Sequence, residues 1–181
     1  MTKDGDNPAA GPAADPGAEP TKRPSGVGET FEDAEAFADR LADGAALIGI
    51  DAGTKTLGLA ISDLSRLIAS PLETIRRTKF TKDIERLRAI VDENAITGLV
   101  LGLPRNLDGS EGPRAQSTRA MARNLNKIFA LPILLWDERL TTSQAERMLI
   151  EADTSRKRRG EVIDKLAATL ILQGALDRLR C

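Results

Sequence analysis

The chain of 181 residues has no histidine, no tyrosine and one cysteine, Cys181, and aromatics make up 3% of it. Without histidine there is no Ser-His-Asp or Cys-His catalysis and no imidazole ligand for zinc. A single cysteine forms no internal disulfide and no thiolate metal cluster, which fits a reducing compartment. Any enzyme built on this sequence works with carboxylates, Lys, Arg, Ser and Thr. With so few aromatic residues the core is expected to be aliphatic. No run approaches the ~18 apolar residues of a membrane span. The first residues lack the apolar segment of a secretory signal, so the expected location is cytoplasmic with no membrane partner.

What is present is a pronounced separation of charge. The whole chain carries 26 basic and 27 acidic residues, net −1. Residues 1–44 hold 4 basic and 10 acidic residues, net −6, and residues 45–181 hold 22 basic and 17 acidic, net +5. The basic part clusters Arg114, Arg119, Arg123 and Lys127 along one stretch and Arg156, Lys157, Arg158 and Arg159 in a run. Such clusters neutralise phosphates, or equally form a solvated helix face and a charged loop. If the acidic segment folds back on the basic surface, it moderates nonspecific RNA binding.

Residues 1–28 contain five of the nine prolines with little to bury, and read as disordered low-complexity sequence. Thr30–Asp43 reads as a short acidic helix with Phe31, Ala34, Phe37 and Leu41 on one side. Residues 1–44 are thus expected to be an acidic, largely disordered extension, and residues 45–181 a single domain. Ala45–Asp51, Leu57–Asp63 and Ala69–Arg77 are expected strands, the first two joined as a hairpin and the third edge-like because of Pro71. A helix is expected over 81–94, a strand over 96–104, a basic helix to about 130 and a strand over 133–138. Two more helices follow, Ser143–Ala152 opened by a capping box and Glu161–Leu179. This order predicts an α/β fold with a mixed five-stranded sheet, three strands antiparallel and two parallel, flanked by helices.

Three acidic positions stand out. Asp51 ends an apolar strand, where a carboxylate is costly unless paired or bound to a cation; a turn Asp capping a hairpin is the plainer reading. Asp137 and Glu138 end a later apolar strand, and strand alternation lets only one of them face the same place as Asp51. The other would pair with Arg139 or contact the next helix N-terminus. Asp164 borders the apolar stripe of the last helix with no basic residue three or four positions away, although first-turn acids are common. Clustered oxygen ligands suit Mg²⁺ or Mn²⁺. Two such ions about 3.5–4 Å apart support in-line cleavage of phosphodiesters without histidine.

The motifs Gly49–Lys55 (GIDAGTK) with Gly58 and Ser62-Asp63, Gly102-Leu103-Pro104, Asp108–Gly112 (DGSEG), Asp137–Thr142 (DERLTT), and Asp164 with Ala167-Ala168 and Ile171-Leu172 occur in one order across residues 46–179. In these the chain resembles the YqgF/RuvX family, Holliday-junction-resolvase-like proteins with an RNase H-like fold linked to 5′-end maturation of pre-16S rRNA. Thr56 departs from the family pattern, since many members carry Arg after the Lys. The resemblance implies a metal-dependent nuclease, with Asp51, Asp137 or Glu138, and Asp164 as the metal-binding and catalytic cluster. Pre-16S rRNA, in the precursor of the small ribosomal subunit, is the implied partner. The loop Asn106–Gly112 and Lys55, Arg105, Arg114, Arg119, Arg123, Arg139, Lys157 and Arg158 would hold the phosphate backbone. The residues do not choose between RNA and branched DNA, and a junction resolvase, which cuts two strands symmetrically, stands as the alternative. A non-catalytic RNA-binding module would gain nothing from a carboxylate cluster. GIDAGTK also resembles the first phosphate loop of actin-like ATPases, but those need two lobes and residues 45–181 supply one.

Overall fold

A computed structural model describes residues 28–140 and 156–180, with side chains for 28–140 and 163–180. Along the chain run β1 (Thr30–Phe31), α1 (Ala34–Ala38), β2 (Leu47–Ala52), β3 (Thr56–Ser62), β4 (Ala69–Arg76), α2 (Phe80–Glu93), β5 (Gly98–Leu103), α3 (Pro113–Phe129), β6 (Ile133–Asp137), a 3₁₀ turn (Glu138–Leu140) and α4 (Arg156–Leu179). The strands form one sheet in the order β1-β6-β5-β2-β3-β4. The pair β2–β3 and the pair β3–β4 are antiparallel, while β5 joins β2 and β6 joins β5 in parallel. This is the mixed α/β arrangement that the sequence predicts, with β2–β4 antiparallel and β5 and β6 joined in parallel.

One strand was not expected. Thr30 and Phe31 pair in parallel with Ile133 and Leu134, giving six strands among the described residues instead of five. Two residues are too short to show the alternation by which strands are recognised, so a helical pattern was read through them. The helix here is only Ala34–Ala38, capped by Asp33, whose carboxylate accepts from the Ala36 amide at 2.8 Å. Phe37 is fully buried, and Phe31 and Leu41 pack beside it. The expected disorder of residues 1–27 and the expected helix over 143–152 lie outside the described residues.

The sheet separates two cores. On one face Ile48, Ile50, Leu59, Leu99, Leu101 and Ile133 pack with Leu87, Ile90 and Val91 of α2 and Leu125 and Phe129 of α3. On the other face Leu47, Ala60, Val100 and Leu134 pack with Phe37 of α1 and Ala168, Ile171, Leu172 and Leu176 of α4. The strands buried on both faces are the continuous apolar runs of β2 and β5. Alternation therefore assigns Leu47, Gly49 and Asp51 to the α4 face, and likewise Leu134, Trp136 and the position after Asp137. Among the described residues, no helix is long and apolar enough to cross a membrane.

Candidate active site

Asp51 sits at the end of β2 on the face covered by α4, and two glycines determine what stands beside it. Opposite Asp51 in the hairpin register is Gly58 of β3. A Cβ at Gly58 would fall 2.1 Å from the Asp164 carbonyl oxygen, so only glycine lets the first turns of α4 lie against the strand there. That close approach brings Asp164 to Asp51. On the other side of β2, a Cβ at Gly102 of β5 would meet the Glu138 Oε1 at 2.7 Å and the Ile171 Cδ1 at 2.5 Å. The bare backbone of Gly102 is the space that the Glu138 side chain crosses to reach toward Asp51.

The electrostatics show this proximity. Burial pushes the Asp51 carboxyl up to about 6, the neighbouring Asp164 charge adds to the rise, and Arg114 offsets part of it. Glu138 is pushed up to about 7, again chiefly by burial, with the Asp51 charge next and Arg114 opposing. Among the described residues, no three acidic side chains are gathered tightly enough to form a ready-made ion site. The Asp51 charge is felt by Glu138 and the Asp164 charge by Asp51, and the Arg114 charge opposes both rises.

Asp137 faces elsewhere. Its carboxylate accepts from the Arg139 amide and the Arg139 guanidinium, at 2.7 Å for the shortest contact, and lies 3.8 Å from Arg105. The Arg139 hydrogen bond holds its carboxyl below the usual range. The alternation that allows only one of Asp137 and Glu138 to face Asp51 thus places Glu138 there and leaves Asp137 with Arg139.

The basic residues divide in the same way. The Arg119 guanidinium donates to Glu111 at 2.6 and 2.7 Å and to Glu32 at 2.7 Å, and Arg105 donates to Glu32 at 2.6 Å. These contacts hold the Glu111 carboxyl down at about 2 and raise Arg119. Arg105, Arg119 and Arg139 are therefore engaged with carboxylates, whereas the exposed Lys55, Arg114 and Arg123 side chains have no ion pair among the described residues. The side chains of Lys157 and Arg158 lie outside the described residues. The loop Asn106–Gly112 is tied internally, Asp108 accepting from the Ser110 amide and hydroxyl, and to α3, Glu111 accepting from Arg119. Asp63 likewise closes the β3–β4 turn, accepting from the amides of Ser65, Leu67 and Ile68.

Sequence reasoning missed one part of this region. A cavity of about 350 Å³ adjoins the Asp51 end of β2 on the opposite face, lined by Ala52, Thr54, Arg77, Phe80, Arg114 and Thr118 among others. Its residues come from three separate segments, 52–54, 77–80 and 113–124, each explained locally as turn, strand or helix, so no spacing announces it.

The model of the RuvX family, described as Holliday junction resolvase, matches residues 45–178, and the chain belongs to that family. Two relatives named "Putative pre-16S rRNA nuclease" are closely similar. That of Paracoccus denitrificans (strain Pd 1222) is 64% identical over 149 residues, 82% of this chain and 94% of the relative. That of Cereibacter sphaeroides (strain ATCC 17025 / ATH 2.4.3) is 66% identical over 148 residues, 82% of this chain and 92% of the relative. Among solved structures, the yeast mitochondrial Holliday junction resolvase is matched with a TM-score of 0.47 at 13% identity, over 81% of this chain and 85% of that one.

Proposed function

We propose that the protein is a divalent-metal-dependent nuclease that cleaves phosphodiester bonds in the maturation of the 5′ end of pre-16S rRNA. The observation that carries this reading is that Gly58 admits Asp164 and Gly102 admits Glu138 on either side of the Asp51 end of β2, with the Arg114 charge acting on Asp51 and Glu138. Three carboxylates offer the hard oxygen donors that Mg²⁺ or Mn²⁺ take, and their mutual repulsion is what a dication relieves. When bound, one or two such ions supply Lewis-acid stabilisation of the charge that develops on the phosphoryl oxygens during in-line displacement. In this reading Asp51, Glu138 and Asp164 hold the ions, Arg114 draws the polyanion toward them, and Lys55 and Arg123 contact the backbone on either side. Asp137 positions Arg139 and Arg105 and does not hold a metal.

The names of the relatives support the RNA substrate, and the family description supports junction DNA as the second reading. One experiment separates them. Purified protein is given Mg²⁺ or Mn²⁺ with precursor 16S rRNA and, separately, with a four-way DNA junction, beside Asp51→Asn. The expected result is cleavage of the RNA alone, abolished by the substitution. Cleavage that survives Asp51→Asn at full rate refutes the nuclease assignment to this site, and cleavage of the junction alone transfers it to DNA.

A further inference from the structure

The cavity beside Asp51 has two kinds of wall. Phe80 at the start of α2 is 40% exposed and, with Met121 and Pro113, supplies an apolar side. Arg77, Arg114 and Thr118 line the same cavity and supply its polar groups. Arg77 is anchored by donating to the Gly53 carbonyl at 2.8 Å, which fixes one of its five donors and leaves the others for the cavity. Thr118, only 4% exposed, lines the same cavity. The N-terminus of α3, at Gly112 and Pro113, has no side-chain cap and opens at the same place.

An exposed aromatic ring and two cations lining one cavity match the chemistry of a nucleotide: the base stacks, and the phosphate meets the guanidinium groups. About 350 Å³ is near the lower end of ligand pockets, roughly 300–1,000 Å³, which admits one small ligand and no duplex. A base already paired in a helix has no free face for Phe80; only an unstacked one does. Ala52 and Gly53, the residues that follow Asp51, line the cavity together with Arg114, whose charge acts on Asp51 and Glu138, so an occupant lies beside the Asp51 end of β2. We propose that this cavity receives one unpaired nucleotide of the substrate strand adjacent to the cleaved bond, so that the enzyme acts on single-stranded nucleic acid at the cut. The inference rests on the nuclease reading above and adds the local form of its substrate.

The test is binding without cleavage. Affinity for a short fluorescein-labelled single-stranded RNA, and for the same strand annealed to its complement, is measured by anisotropy in EDTA for wild type, Phe80→Ala, Phe80→Trp and Thr118→Val. Phe80→Ala is expected to weaken single-strand binding about tenfold and duplex binding less than about twofold, with Phe80→Trp restoring the wild-type value. Thr118→Val, which keeps the side-chain shape, is expected to weaken single-strand binding roughly threefold. Equal losses for single strand and duplex, or no loss for either, overturn the proposal. The two readings fail separately. A protein that cuts in the Asp51-dependent manner but binds single strands independently of Phe80 refutes the cavity alone. A protein that binds through Phe80 and cuts nothing refutes the nuclease alone.

Discussion

Asp51 and Glu138 are held in a state that costs the free protein stability. Asp51 stands at about 6 against an ordinary 3.8, and Glu138 at about 7 against 4.5. Between these limits the folded protein binds more protons than the unfolded chain, so its stability falls as pH rises through that window and is recovered on acidification. Metal-free protein is expected to melt a few degrees higher at about pH 5 than at about pH 8. In Asp51→Asn the difference shrinks, because one raised carboxyl is gone and the other has lost a repelling neighbour. Calorimetry in EDTA at the two pH values checks this, and an unchanged difference in the variant refutes it. Below about pH 4 the trend reverses, since Glu111, held down at about 2, loses its contribution as it is protonated. Residue by residue, the sequence showed the carboxylates but not which of Asp137 and Glu138 belongs with Asp51. Alternation limits the choice to one. Selecting Glu138 needed the empty backbone of Gly102 beneath it, a relation between strands that no local pattern contains.

At the scale of the elements, the site depends on how closely α4 approaches β3. Gly58→Ala places a methyl 2.1 Å from the Asp164 carbonyl oxygen, and backbone must move to admit it. A loss of about 3 kcal/mol on urea denaturation is expected, accompanied by a loss of cleavage at temperatures where the variant stays folded. Gly112→Ala, whose nearest added contact is 3.9 Å, is the control and is expected to cost less than about 1 kcal/mol. The strands β2 to β6 and the helices α2 and α3 were legible because long apolar runs and clear periodicity encode them directly. The strand β1 was not, because two residues carry no period; its existence rests on pairing with β6, about a hundred positions later in the chain. The cavity was hidden for a related reason. Phe80 stands four positions before Ile84, so helical spacing places it on the buried stripe, whereas tertiary packing leaves it partly exposed.

For the molecule as a whole, the charge separation seen in the composition has a defined location. Residues 28–44 carry six of the ten acidic residues of the first 44 and one of the four basic ones. They include β1 and α1, which lie on the sheet, and Glu32 just after β1 bridges Arg105 and Arg119. Screening of the basic surface therefore resides in this packed segment. Glu32→Gln is expected to tighten nonspecific RNA binding at low salt about threefold and to steepen its salt dependence by about one unit of logarithmic slope. Deletion of residues 1–27, which carry four acidic and three basic residues, is expected to change it less than about twofold. Filter binding across a salt series distinguishes the two, and a larger effect from the deletion would reverse the assignment.

The dependence of the acidic cluster on α4 also has a consequence in time. The helix follows every strand in the chain, so a nascent polypeptide that has exposed its whole sheet holds Asp51 and Glu138 but not Asp164. Until that helix emerges and docks over Gly58, the cluster lacks its third carboxylate. The order of synthesis therefore makes the acidic cluster the last part of the described fold to be assembled.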